Sequence, residues 1–143
     1  MSDFNERLNE LIITNEIKPE ILAREIGVAL KTIYEWKAGT QQITCSNIIS
    51  LSNFFNCTID YLAGRNDDPL NFTPLVPPPF NIAIRSLMEK LKISTYKLQK
   101  ETKYNGSYFV RWKNGQEPYL DTLIDLADYF HCSIDELVGR NKF

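Results

Sequence analysis

Eight basic side chains stand between Arg85 and Lys113, with only Glu89 and Glu101 against them. Tyr96, Tyr104 and Tyr108 interleave with Lys97, Lys100 and Lys103, and a small polar group, Asn105-Gly106-Ser107, interrupts the run. Clustered cations attract anions such as phosphate, and tyrosines donate hydroxyl hydrogen bonds or stack. The same mixture suits a protein interface, where tyrosine is also favoured. The catalytic inventory is thin by comparison. One histidine, His131, is the only imidazole base a Ser–His or Cys–His nucleophile pair has to draw on. Cys45, Cys57 and Cys132 are odd in number and lack C-x-x-C spacing, which argues against a disulfide framework or a zinc site. No catalytic residue, metal ligand or cofactor is expected.

The overall charge of −2 hides an asymmetry. Residues 1–66 carry six Lys/Arg against eight Asp/Glu, a balance of −2; residues 80–143 carry ten against eight, a balance of +2. Field strength depends on local clustering, so the second half owns the electropositive surface. Hydrophobic content of 43% and charged content of 24% are ordinary for a globular chain of 143 residues and argue against disorder. No apolar run approaches the roughly 18 residues that span a bilayer. The start, Met1-Ser2-Asp3-Phe4, lacks a basic and apolar leader. The expectation is no membrane association and a cytoplasmic location.

The basic stretch must be held by helices. Ser94 is a polar cap, and Trp112-Lys113-Asn114-Gly115 closes the segment. Two short helices joined by a tight turn account for this pattern. An earlier stretch ends the same way, in Trp36-Lys37-Ala38-Gly39. Aligning the two at an offset of 76 pairs Phe4-Asn5 with Phe80-Asn81, Leu11 with Leu87, Leu22 with Leu98 and Glu25 with Glu101. Past the glycine the offset becomes 75, pairing Ile59-Asp60-x-Leu62 with Ile134-Asp135-x-Leu137 and Gly64-Arg65-Asn66 with Gly139-Arg140-Asn141. A repeat that includes the turn residues marks a duplication.

Each copy reads as five helices. In the first, Asp3 and Glu6 suggest a capping-box start, followed by an apolar stripe of Phe4, Leu8, Leu11 and Ile12. Pro19 suits the first turn of a second helix that Gly27 ends. A third helix over about 30–37, a fourth over about 46–55 and a fifth over about 59–63 complete the unit. The second copy ends in a capping box, Ser133-x-x-Glu136. Between the copies, residues 67–79 contain five prolines, which forbid helix and favour polyproline II. Leu70, Phe72, Leu75 and Val76 make this segment too apolar for a plain spacer.

The order helix, turn, helix, Trp-Lys-x-Gly, apolar helix and Ser/Thr-Ile-Asp-x-Leu-x-Gly resembles the lambda-repressor/Cro-like (XRE) helix-turn-helix family, over both copies. The resemblance implies an all-α chain of two tandem five-helix domains, 1–66 and 80–143, joined by a Pro-rich linker, 67–79. It also implies double-stranded DNA as partner, bound either by both units of one chain on successive major grooves or by a homodimer that presents two copies of the second unit, and a transcriptional regulator, of repressor type in phage or bacteria. In the second copy Asn105, Gly106, Ser107, Tyr108 and Arg111 match base-facing positions. Arg111 is suited to a bidentate contact with guanine. Thr95 matches the family's contact at the start of the second helix, and Lys97, Lys103, Lys113 and Asn114 are candidates for phosphate.

The first copy departs from that pattern. Ala29 is a poor cap, Leu30 faces outward, and Glu35 replaces Arg111. Leu30, Lys31, Thr32, Tyr34, Glu35 and Lys37 therefore form a weaker DNA-binding set or, through Leu30 and Tyr34, a surface for a protein partner. The rival function is an antitoxin-like or inhibitor module built on a repurposed helix-turn-helix. Trp36 and Trp112 are expected in the core, Cys57 and Cys132 as small buried fillers, and His131 on the surface.

Overall fold

The computed structural model describes residues 2–69 and 73–141. The chain divides into two compact units. The first is built on α1 (Ser2–Thr14), α2 (Pro19–Ile26), α3 (Leu30–Ala38), α4 (Cys45–Phe55) and α5 (Ile59–Leu62). The second is built on α6 (Phe80–Leu91), α7 (Thr95–Glu101), α8 (Gly106–Lys113), α9 (Leu120–Phe130) and α10 (Ile134–Val138). No strand occurs among the described residues, and the fold is all-α with two tandem helix-turn-helix units.

Local chemistry explains where the helices begin and end. Pro19 opens α2, where its missing N–H costs nothing, and Gly27 closes it at φ 85°. Gly39 closes α3 at φ 75°, its N–H donating to the Glu35 and Trp36 carbonyls. Ala29 precedes α3 without any side-chain cap. The second unit is better capped. Ser94 Oγ accepts from the Lys97 N–H at 3.1 Å, and Ser133 and Glu136 form the expected reciprocal box. Asn56 and His131, one repeat apart, follow α4 and α9 at φ 54° and 55°. His131 is exposed there. One expected start is displaced: α1 begins at Ser2, so Asp3 lies inside its first turn rather than capping it. The Asp3 carboxylate still faces the positive end of the helix dipole.

Each unit has its own apolar core. Leu8, Leu22, Ile33, Trp36, Ile48, Leu51 and Ile59 are buried in the first, and Ile84, Leu87, Leu98, Phe109, Trp112, Leu126 and Ile134 in the second. Each such side chain contributes about 1.5–3 kcal/mol on leaving water. Both tryptophans are thus packing residues. Cys57 is buried as expected, whereas Cys132 is only half-buried.

The repeated ending is a polar staple. Arg140 is 1% exposed, and its Nη1 donates to Asp135 Oδ1 at 2.8 Å. Arg65 pairs with Asp60 in the first unit, at the equivalent positions. In both, the arginine N–H also donates to the aspartate carbonyl at 2.8 Å. Gly64 and Gly139 sit between the partners at φ 77° and 85°. A Cβ on Gly139 would come within 2.7 Å of Pro78 Cδ, so both backbone and space require glycine there.

The Pro-rich segment is tied at both ends. Thr58 N–H donates to the Pro69 carbonyl at 2.6 Å, and Leu75 N–H donates to the Arg140 carbonyl at 2.8 Å. Val76 is 95% exposed. Leu70 and Phe72 lie outside the described residues.

Removing one partner of a buried ion pair strands the other charge, at a cost of roughly 3–5 kcal/mol. Arg140→Leu is expected to destabilise the second unit by about that amount in urea unfolding. Arg65→Leu should cost less, because that arginine side chain is 23% exposed.

Candidate nucleic-acid interface

The turn between α7 and α8 is built by short polar side chains. Thr102 Oγ1 donates to the Leu98 carbonyl at 2.7 Å and accepts from the Tyr104 N–H at 3.1 Å, ending α7 and starting the turn. Asn105 then caps α8. Its Oδ1 accepts from the Ser107 N–H at 3.0 Å and from the Ser107 hydroxyl at 2.7 Å. Asn105 and Ser107 are therefore bound to each other. The Asn105 amide N–H₂ and the Ser107 oxygen lone pairs stay available for a ligand.

An aromatic cluster fixes the angle of α8. Trp112 meets Phe80 edge-on at 5.0 Å between centroids, Phe109 at 5.1 Å and Tyr108 at 5.9 Å. Tyr104 meets Tyr108 edge-on at 5.0 Å. Tyr104 corrects the interleaved Lys–Tyr pattern. It is 3% exposed, with its hydroxyl donating to Asp125 Oδ2 at 2.8 Å, and so belongs to the core rather than to the basic face. Burial, reinforced by the Asp125 hydrogen bond, pushes its hydroxyl above the usual tyrosine range.

Arg111 is exposed on top of this cluster. Its guanidinium carbon lies 4.3 Å from the Tyr108 ring centroid, and its Nε donates to the Ser107 carbonyl at 3.4 Å. Those two contacts hold the planar head against the helix. Ser107, Val110, Arg111 and Asn114 follow i, i+3, i+4, i+7 spacing and form one exposed row. The buried row on the opposite side is Phe109 and Trp112.

The remaining candidates of the second unit spread around this row. Thr95 is the first residue of α7 and half-buried; Gly106 opens α8; Tyr108 is half-buried. Lys97 and Lys113 are exposed. Lys103 is exposed too, but its Nζ lies 4.0 Å from Asp125 Oδ2, which offsets part of its charge.

The first unit repeats the backbone but not the chemistry. Leu30 and Lys31 are exposed, Thr32 and Glu35 half-buried, and Tyr34 is 47% exposed. Lys37 Nζ lies 5.5 Å from the Tyr34 ring centroid, and the Lys37 carbonyl accepts from Asn9 Nδ2 at 3.0 Å. Val28 and Thr32 stand where the second unit has Tyr104 and Tyr108, so no tyrosine pair supports this helix. The Trp36 indole N–H is buried without a hydrogen-bond partner.

A family model for the Cro/C1-type HTH DNA-binding domain matches the chain twice, over residues 7–68 and 83–142. The chain belongs to the Cro/C1-type helix-turn-helix family. No curated protein and no solved structure matches it. Such domains bind DNA, so the chain carries a DNA-binding fold in duplicate. Family members of this type are typically not enzymes. No described helix is long and apolar enough to cross a membrane, and no cluster of three or more potential metal ligands occurs among the described residues.

Val110 is not singled out by the sequence, because an apolar residue inside a helix is ordinarily assigned to the core. The repeat carries the missing signal. At the offset of 76, Val110 aligns with Tyr34, which the sequence already marks as outward-facing.

On the flank of the second helix-turn-helix unit, the Tyr129 hydroxyl donates to Glu101 Oε1 at 2.5 Å. Desolvation, then this bond, pushes its pKa from 10.0 up to about 12. The shift favours the neutral phenol in the folded state. Its stabilisation is therefore complete below pH 10.0 and lost as the pH climbs through about 12. Urea unfolding across that window should show wild type losing more stability than Tyr129→Phe.

Proposed function

We propose that the protein is a sequence-specific double-stranded DNA-binding regulator of transcription, acting as a repressor of phage or bacterial type in the cytoplasm, in which the second unit is the principal reader. The domains are 1–66 and 80–143, with 67–79 as linker. The observation that carries this reading is the exposed row of α8, with Arg111 held over Tyr108 at 4.3 Å. A helix of this kind fits the major groove, where an arginine donates two parallel hydrogen bonds to guanine O6 and N7. A preorganised guanidinium loses less freedom on making them.

The roles then divide by position. Arg111, Asn105, Gly106, Ser107 and Tyr108 face or support the base edges, while Thr95, Lys97, Lys103, Lys113 and Asn114 contact the sugar-phosphate backbone. Phosphate contacts position the helix and base contacts specify the sequence. The functional assembly is a homodimer that presents two copies of α8 to a palindrome. The first unit's balance of −2 supports assigning it to assembly or to weaker contact through Leu30, Lys31, Thr32, Tyr34, Glu35 and Lys37. One observation favours a second reading for that unit: Ile21, Leu30 and Tyr34 are exposed on α2 and α3, which suits a protein partner of the antitoxin or inhibitor kind.

Binding to a selected duplex measured across salt concentrations separates these roles. Arg111→Ala should relax preference at one base pair by about 1–3 kcal/mol, with the salt slope little changed. Lys113→Ala should weaken binding to all sequences and reduce the slope of log K against log salt by about 0.9. A salt-independent interaction unaffected by either change would favour the protein-partner reading.

A further inference from the structure

The exposed row of α8 contains one residue that neither folding nor phosphate contact accounts for. Val110 is 58% exposed. It sits between Ser107 one turn before and Asn114 one turn after, with Arg111 beside it. The core of the unit is completed by its neighbours Phe109 and Trp112, not by Val110. A valine at a largely open helical position gives up helix propensity relative to alanine and gains little burial in the free protein. Its two methyl groups are held in one orientation, because a β-branched side chain has a single strongly preferred rotamer in a helix.

We propose that Val110 is a specificity-determining residue that reads the C5-methyl group of a thymine in the stretch of groove that Arg111 enters. This inference rests on the reading that α8 enters the major groove. In that groove the thymine methyl is the one apolar feature a base pair displays. The other groups on the row are polar: the Ser107 hydroxyl, the Arg111 guanidinium and the Asn114 amide. A stiff apolar surface among them has only the thymine methyl as a complementary ligand. Val110 and Arg111 belong to the same exposed row of α8, so the thymine is assigned to the stretch of groove that Arg111 enters. Tyr34 holds the equivalent position of the first unit, and there a larger ring replaces the compact pair of methyls.

The test is replacement of each thymine of a selected duplex by deoxyuridine, which removes the methyl and leaves the hydrogen-bonding edges intact. Wild type should bind roughly fourfold more weakly when one particular thymine is replaced, the fold-change of one buried methyl group. Val110→Ala should bind the original duplex several-fold more weakly and show no further loss at that thymine, with its helical circular dichroism unchanged. Arg111→Ala should retain the methyl effect. Sequence-specific binding in which no thymine replacement matters, or in which Val110→Ala keeps the full methyl effect, would overturn the assignment to Val110 and leave the DNA reading standing. Failure of wild type to select any duplex from a random pool would overturn both.

Discussion

The second unit depends on the packing of Trp112. Phe80 from the first helix of the unit, and Phe109 and Tyr108 one turn before it on α8, all meet that indole. Aromatic pairs of this geometry are worth about 0.5–1.5 kcal/mol beyond the area they bury. They also set direction. Trp112 orients Tyr108, Tyr108 carries the Arg111 guanidinium, and the Asn105 cap fixes the register at which α8 begins. Core packing is in this way translated into the position of one exposed cation.

The duplication gives an internal comparison. Both units keep the same five helices, the buried tryptophan, the left-handed turn after α4 and α9, and the Asp–Arg staple. What differs lies on the surface and in its supports. The tyrosine pair, the Asn105 cap and Arg111 have as counterparts Val28, Thr32, Ala29 and Glu35. The fold therefore survives without the electropositive row. That is the expected behaviour when stability comes from the apolar core and specificity from side chains that face solvent.

Much of this organisation is legible in the residues. The 76-residue offset, Ser94, Ser133-x-x-Glu136, Gly27 and Gly39 mark helix ends by local rules that tertiary packing does not override. Three features of the fold are not legible, for different physical reasons. Asp3 carries the signature of a cap, but the helix extends one residue beyond it, and helix ends fray by about that much. Tyr104 lies among lysines in sequence, yet the turn after Thr102 rotates it inward onto Asp125; side-chain direction there depends on the turn, not on the neighbours. Arg140 enters the sequence only as part of the repeated Gly-Arg-Asn ending, and only the fold reveals that Asp135 neutralises it at 1% exposure. Residue types alone point to Arg111 in the candidate interface but pass over Val110, because exposure rather than polarity marks it.

In this reading α8, rather than α3, meets the DNA bases. Amide chemical-shift mapping of the full chain with a selected duplex tests that most directly. The largest perturbations are expected over residues 105–114, with clearly smaller ones over residues 30–38. Perturbations centred on residues 30–38, with 105–114 unmoved, would contradict it.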